Sequence, residues 1–358
     1  MFINNIKEQG KIMKIQFSPQ NFKGYDATPI KSLYLGTPTC DPDLDVIEDI
    51  KDVAKREGIK TYLLTSDNIF EDEIPDNWVG GYMDPWNQDK MLFLENNKKV
   101  EVHAADGLWG LPHKLSQKFL TRGIKESDVW LKTACGNYFV GKKENGEKYI
   151  LAGEASEIDA KKIAEIQKIK PENIHIIPQS AFHIDMIVRP IGYPYILVND
   201  EEKVEENIEN LNATNSVKNN SKILAKKYRS DISRNGKQVS GKEIAKILES
   251  QGFKPILIGG LYSYGANFMN AIIHKRNDGN LVYITNSAEN LGKGRAEEQL
   301  QKMFEKDLRK KVPNIAKVDF ILGKEARFFG ENNIFNYLIS DGGVHCMCAE
   351  EPDFDKWV

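Results

Sequence analysis

Short apolar runs alternate with longer segments that carry one apolar face along most of this 358-residue chain. Short apolar runs predict strands at residues 31–36 and 60–65. Between them, apolar residues at a helical period predict a helix at residues 44–57. The same rhythm predicts strands at 138–140, 149–152, 175–178, 183–188, 255–258, 267–274, 281–285 and 318–322, and helices at 157–168, 241–251 and 295–310. A last pair of strands is expected to flank Cys346.

This alternation indicates an α/β architecture assembled from similar small units, although no repeat is visible in the sequence itself. A chain of this length can bury a full core as one large domain or two medium ones. We predict one catalytic domain over residues 1–358. In residues 199–235, acidic residues, asparagines and lysines replace the apolar periodicity. This region is predicted to be a surface insertion, either helical or mobile.

Charge and cysteine content exclude several classes of protein. The 49 basic and 52 acidic residues nearly cancel, so neither a nucleic-acid partner nor a polybasic membrane anchor is indicated. The N-terminus lacks the apolar core of a signal peptide and no run reaches membrane-spanning length, which predicts a soluble, cytoplasmic protein unless another route exports it. The four cysteines lack zinc-site spacing and are interpreted as reduced thiols, with no metal or cofactor expected: Cys40, Cys135, Cys346 and Cys348.

The segment before Cys346 is suited to present a nucleophile. Gly342 and Gly343 let the backbone turn and leave room for a substrate to approach the sulfur. The alternative is an edge strand with two small hydrophobic thiols, Cys346 and Cys348. If this segment is a strand, His345 points away from the site and is structural.

His183 and Asp185 form a second candidate pair. In the predicted strand 183–188 they are two residues apart, so both side chains lie on one face. Histidine is the usual general acid or base, and aspartate suits a cationic substrate. The alternative is an internally hydrogen-bonded pair with a structural role.

Trp86 and Asp89 follow the turn signal Asp84-Pro85. A carboxylate beside an indole offers a planar cation a bidentate acceptor and a π face. A tryptophan and an aspartate near a turn are common, so the pair gains meaning only together with Cys346, His183 and Asp185.

These residues carry a resemblance to the protein-arginine deiminases. Residues 84–91 are similar to that family's Asp-x-Trp-x-Gln-Asp-x-Met stretch, which implies that Asp89 binds the substrate guanidinium and Trp86 packs against it. Residues 120–123 resemble a Thr-Arg-Gly stretch, which implies that Arg122 contacts the substrate backbone. Gly136-Asn137 and residues 149–154 resemble its Gly-Asn and Leu-x-Gly-Asp strands, and Asn137 is expected in the substrate site.

The two strongest matches lie further along. Residues 183–185 match the family's His-Val-Asp motif, which implies that His183 is the general acid and base and Asp185 the second guanidinium ligand. Residues 343–346, with Lys356-Trp357, match Glu-Val-His-Cys and a closing Lys-Trp, which implies that Cys346 is the nucleophile. The resemblance spans about residues 80–358 through short motifs, and Cys348 stands where threonine is usual.

The resemblance extends to the guanidine-modifying, or pentein, superfamily of arginine and agmatine deiminases and amidinotransferases. It implies a five-bladed α/β propeller of ββαβ units around a central site. In the calcium-dependent vertebrate enzymes, Glu-Met-Glu follows the aspartate and helps to bind calcium, whereas here the residues are Lys90-Met91-Leu92. Losing those carboxylates predicts a calcium-independent protein without a metal site.

A guanidinium is a resonance-stabilised cation and a poor electrophile. Asp89 and Asp185 would hold it, Cys346 would attack as a thiolate, and His183 would protonate the departing ammonia and then activate water. We therefore predict deimination of peptidyl arginine to citrulline, in a protein or peptide. The alternatives are a deiminase of free arginine or agmatine, an amidinotransferase, and a non-catalytic binding propeller. The sequence indicates no oligomeric state.

Overall fold

The computed structural model describes residues 29–36, 41–71, 73–75, 77, 79, 90–104, 112–233, 239–263, 266–287, 295–321 and 343–356. The described strands are β1 (Ile30–Gly36), β2 (Lys60–Leu64), β3 (Ile69–Glu71), β4 (Met91–Asn96), β5 (Lys99–Ala104), β6 (Lys125–Glu126), β7 (Tyr138–Lys142), β8 (Lys148–Gly153), β9 (Ile174–Ile177), β10 (Val188–Pro190), β11 (Tyr195–Asn199), β12 (Lys254–Ile258), β13 (Leu261–Ser263), β14 (Ala266–Asn267), β15 (Ala271–Lys275), β16 (Leu281–Asn286), β17 (Ile315–Ile321) and β18 (Cys348–Pro352). The described helices are α1 (Asp41–Arg56), α2 (His113–Thr121), α3 (Glu157–Gln167), α4 (Glu201–Glu209), α5 (Asn215–Ser233), α6 (Gly241–Ser250), α7 (Arg295–Lys311) and α8 (Val344–Met347).

Five small sheets within the described ranges share one pairing pattern. In each, an antiparallel pair of strands is extended by a third strand that runs parallel to its neighbour after a helical crossover: β4-β5-β6, β7-β8-β9, β10-β11-β12, β15-β16-β17 and β18-β1-β2. A parallel pair needs such a crossover because its strands cannot be joined by a tight hairpin. The predicted series of small mixed α/β units is thus confirmed.

The fifth of these sheets is closed by the end of the chain. Strand β18 pairs antiparallel with β1, with Leu35 opposite Cys348 and Ile30 opposite Pro352. The segment that carries Cys346 is therefore held against the first described strand.

Most predicted elements occur with ends shifted by a few residues, and the predicted strand at 267–274 is divided between β14 and β15. One prediction is wrong, because residues 184–186 form a 3₁₀ turn instead of a strand and β10 begins only at Val188. Cys346 lies in the short helix α8, so the alternative of an edge strand at this residue does not hold.

Residues 199–235 fall mainly on α4 and α5, in the crossover between β11 and β12. Asp200 caps α4 by accepting a 3.0 Å hydrogen bond from the Glu202 amide. Tyr228 and Ile232 of α5 are buried in the same apolar cluster as Cys346. The Ile232 carbonyl also accepts a 2.7 Å hydrogen bond from the Phe182 amide, so this region supports the loop that carries His183. Among the helices that the structure describes, none is long and apolar enough to cross a membrane.

Candidate active site

Cys346, His183 and Asp185 converge on one buried point. Their ligand-type side-chain atoms all lie within 4.8 Å of one another, and the Cys346 sulfur is 3.4 Å from Asp185 Oδ2. Their exposed fractions are 1%, 8% and 0%. Of the predicted site residues, these three are thus brought together as the sequence indicated.

A turn, and not a strand, brings His183 and Asp185 to this point. His183 is extended, at φ −128° and ψ 142°, and Ile184 to Met186 form a single 3₁₀ turn. Ile184 and Met186 are fully buried in the apolar cluster around Cys346. Because Ile184 and Met186 are buried in the core, the turn is fixed in place. His183 and Asp185 therefore lie in one site although this segment is not a strand.

Gly136 and Asn137 pack against this turn. Asn137 Oδ1 accepts a 2.6 Å hydrogen bond from Gln179 Nε2 and a 3.3 Å bond from the Ile184 amide. A Cβ atom on Gly136 would lie 3.0 Å from His183 Nδ1 and 3.2 Å from Asp185 Oδ2. Glycine is therefore the residue that lets this loop approach the two side chains closely. The contacts that the structure shows for Asn137 fix the turn that carries His183 and Asp185, and its predicted contact with substrate stays a prediction.

Two asparagines hold the beginning of α8: Asn270, immediately before β15, and Asn286, the last residue of the neighbouring strand β16. Asn286 Oδ1 accepts from the Val344 amide at 2.9 Å, and Asn270 Oδ1 accepts from the amides of His345 at 3.0 Å and Cys346 at 3.3 Å. These bonds take up the amides that have no partner in the first turn of a helix, which explains why the segment turns instead of continuing as a strand. Gly343 passes so close to both asparagines that a Cβ atom there would overlap them.

Asn270 also contacts the sulfur directly, because its Nδ2 donates to Cys346 Sγ at 3.1 Å. The side chain is fully buried. An amide donor beside a thiolate stabilises the negative charge. Sequence reasoning missed Asn270 and Asn286, whose signal is a polar residue at the end of an otherwise apolar strand.

His345 faces the site, so the expectation that it points away is wrong. Its Nδ1 donates to Asp185 Oδ2 at 2.7 Å, and its Nε2 is 3.6 Å from Glu350 Oε1. Glu350 in turn accepts from Arg189 Nη2 at 3.4 Å. The helical turn of α8 rotates His345 and Cys346 by about 100° relative to each other, where a strand would separate them by about 180°. Both side chains can therefore reach Asp185.

Asp185 is held in its charged form. Burial opposes ionisation, but the hydrogen bond from His345 and the positive charge that His345 and His183 can carry outweigh it and lower the pKa of the carboxyl. Oδ2 is occupied by His345 and the thiol, whereas the buried Oδ1 has no hydrogen-bond partner within the described part of the chain. Oδ1 is thus an anionic acceptor suited to an N–H donor of a guanidinium.

The other predicted residues lie elsewhere or outside the described ranges. Trp86 and Asp89 are not among the residues that the structure describes, so their roles stay predictions. Arg122 is exposed at the end of α2, and its guanidinium carbon lies 3.7 Å from the ring centroid of Tyr62 and 6.0 Å from that of Tyr34. A role of Arg122 in binding the substrate backbone also stays a prediction.

The cluster offers a thiol, an imidazole and an anionic carboxylate within 4.8 Å of one another. This set can carry out nucleophilic attack on a cation, with the proton moved by the imidazole. A thiolate, an imidazole and a carboxylate this close can also ligate a divalent metal ion such as zinc, which prefers such ligands. The sequence predicted no metal, so the two uses of the cluster require a direct test.

The sequence matches no family model and no curated protein. Solved structures do resemble it. Agmatine deiminase from C. jejuni aligns at a TM-score of 0.54 and 16% identity over 92% of this chain and 95% of that one. A variant of that enzyme with serine in place of a cysteine and with substrate bound gives 0.52 at the same identity and coverage. An inosamine-phosphate amidinotransferase from Streptomyces griseus aligns at 0.48 and 11% identity over 93% of this chain and 97% of that one.

The two C. jejuni structures establish the fold of this chain. It is that of the guanidine-modifying, or pentein, proteins, which confirms the predicted resemblance at the level of the fold. At 16% identity the likeness shows the fold alone.

Proposed function

We propose that this chain hydrolyses the C–N bond of a guanidino group through a covalent intermediate on Cys346. The observation that carries the proposal is the buried convergence of Cys346, His183 and Asp185 within 4.8 Å. The pentein fold supports it, because agmatine deiminases with the same fold are named for this chemistry. We also propose that the five ββαβ sheets form the blades of a propeller around this centre, as the five-fold repetition of one pairing pattern favours.

Each step can be assigned to an atom. Asp185 Oδ1 holds the guanidinium by accepting its N–H groups, and we assign the second carboxylate to Asp89 on the sequence motif alone. The Cys346 thiol passes its proton to His183, its sulfur bonds to the central carbon, and His183 donates that proton to the nitrogen that leaves as ammonia. Water attacks the S-alkylthiouronium that results and gives one proton to His183. The C–S bond then breaks as the hydroxyl proton of the adduct passes to the released ammonia, which leaves the ureido product and the thiolate that Asn270 Nδ2 stabilises.

For the substrate, we favour a small guanidino compound over the peptidyl arginine that the motifs suggested. Two considerations support this choice. The two solved structures that align with a TM-score above 0.5 among those compared are of an agmatine deiminase, and the Cys346 residue is only 1% exposed. A free alkylguanidine reaches such a buried thiol without a bulky protein having to dock.

The test is a comparison of three substrates with the purified full chain: agmatine, free L-arginine, and a short peptide with an internal arginine. Ammonia and the ureido product are both measured. Turnover of a free guanidine well above that of the peptide supports the proposal, and the reverse order restores peptidyl arginine as substrate. Transfer of the amidino group to an added amine without ammonia release identifies an amidinotransferase.

Two controls test whether turnover depends on the Cys346 thiol itself and whether it requires a metal ion. Cys346→Ala removes the nucleophile, and Cys348→Ala removes a fully buried thiol two residues away, where burial raises the pKa well above the usual range. We expect only the first to abolish turnover. Assays with and without EDTA test the metal alternative, because loss of activity on chelation and its return with zinc would make the cluster a metal centre.

A further inference from the structure

A cavity lies near Ile30, at the end of β1 that is far from Cys346. Its volume is about 380 Å³, and its lining includes Ile30, Arg56, Glu57, His274, Arg276 and Lys356. Leu35, beside Cys348, and Ile30 are five residues apart on β1, which places the cavity about 17 Å along the strand from the Cys348 end. The cavity is therefore separate from the candidate active site.

The lining carries more positive than negative charge. Arg276 makes two bonds to Glu57, at 2.7 and 2.8 Å, and so neutralises the one carboxylate among the described lining residues. Arg56 and Lys356 are half exposed, and the acids that pair with them, Asp319 and Asp353, are not part of the lining. Their remaining N–H groups are donors for a ligand that carries negative charge.

His274 adds a buried donor to this wall. It is 6% exposed, and its Nδ1 accepts a 3.1 Å hydrogen bond from the Ile30 amide. Because Nδ1 is the acceptor, the neutral ring carries its proton on Nε2, and Nε2 has no hydrogen-bond partner in the described part of the chain. This N–H is therefore available to donate a hydrogen bond to an oxygen anion in the cavity.

We propose that this cavity binds a small oxyanion, a carboxylate or a phosphate, held by His274 Nε2, Arg56 and Lys356. Its volume suits a ligand of a few heavy atoms together with ordered water. The site uses none of the residues assigned to the reaction at Cys346, so it does not depend on the proposed function.

The test measures binding to the full chain by calorimetry and thermal unfolding in HEPES buffer, with inorganic phosphate, malonate, and chloride at matched ionic strength. We expect phosphate, malonate or both to raise the melting temperature by about 2–4 °C at saturation, and chloride to have no such effect. A response to phosphate alone identifies a phosphoryl ligand, and a response to malonate alone a carboxylate. No response beyond that of chloride overturns the proposal.

Variants locate the binding. Lys356→Gln and Arg56→Gln each remove one half-exposed charge and should weaken the affinity by about five- to tenfold. The matched control is Lys161→Gln on α3, an exposed lysine paired with Glu157 and absent from the lining. The bound anion should also raise the pKa of His274, which burial lowers to about 4, as followed by NMR of its ring. Equal affinities in all three variants would refute the site.

Discussion

Replacing Gly136 by alanine tests the geometry of the proposed active site without changing any charge. The added Cβ would lie 3.0 Å from His183 Nδ1, 3.1 Å from its Cγ and 3.2 Å from Asp185 Oδ2. Contacts this short force the neighbours to move by a few tenths of an ångström. Because a misplacement of about 1 Å can cost roughly a hundredfold in rate, we expect kcat/KM to fall by about ten- to a hundredfold. The strain should lower the free energy of unfolding by about 1–3 kcal/mol.

The assay is steady-state ammonia release from the best of the three substrates, with thermal unfolding on the same samples. The matched control is Gly146→Ala in the turn between β7 and β8, where φ is +85° and the added Cβ meets only Lys142 Cε at 3.7 Å. Alanine there should cost about 1 kcal/mol of stability and leave kcat/KM unchanged. If Gly136→Ala keeps kcat/KM within twofold of wild type, His183 and Asp185 do not act in the geometry described.

Three further predictions concern the site and the core. Cys346→Ser should fold normally yet retain less than about 1% of the activity, since a hydroxyl is a far weaker nucleophile; activity above a few per cent excludes a covalent thiouronium. Asn270→Ala should lower kcat about ten- to a hundredfold and change KM less, because it removes a donor to the sulfur and frees the start of α8. A variant with the same kcat as the wild-type protein would show that this contact has no catalytic effect. Burial lowers the pKa of His175 and His274 from 6.5 to about 4, so the fold favours their neutral forms. The resulting stability, about 3 kcal/mol for each histidine, is fully present above pH 6.5 and is lost as the pH falls from 6.5 to 4. Urea midpoints that are equal at pH 7 and pH 5 would contradict this assignment.

The strands and helices could largely be predicted because each sheet is buried and its apolar runs are bounded by turn residues. The helical period was equally clear in α3 and α6, whose apolar faces pack on the sheets. The predicted strand at residues 183–188 is wrong, because part of this apolar stretch forms a 3₁₀ turn. There the hydrophobic pattern reports burial of Ile184 and Met186, and burial alone does not distinguish a turn from a strand.

Cys346, His183 and Asp185 lie within 4.8 Å of one another, and their catalytic roles stay predictions. The sequence analysis did not identify the groups that orient them. Asn270 and Asn286 are far from Cys346 in sequence, and a single asparagine at a strand end carries no motif. The direction of His345 depends on whether α8 is a helix or a strand, and that choice is made by these two asparagines. A long-range tertiary contact therefore decides a local conformation that the residues around Cys346 do not specify.

The pairing of β18 with β1 has a consequence for how activity appears during folding. It joins residues separated by more than 300 positions, such as Leu35 and Cys348, so forming it requires closure of a very long loop. Contacts of such high sequence separation are slow to form and are favoured only after the intervening units are compact. Cys346 lies two residues before β18, so the thiol meets Asp185 only when this closure is complete. If the proposed reaction takes place at Cys346, refolding experiments should therefore show secondary structure returning before turnover, because the thiol is placed only when β18 has docked on β1.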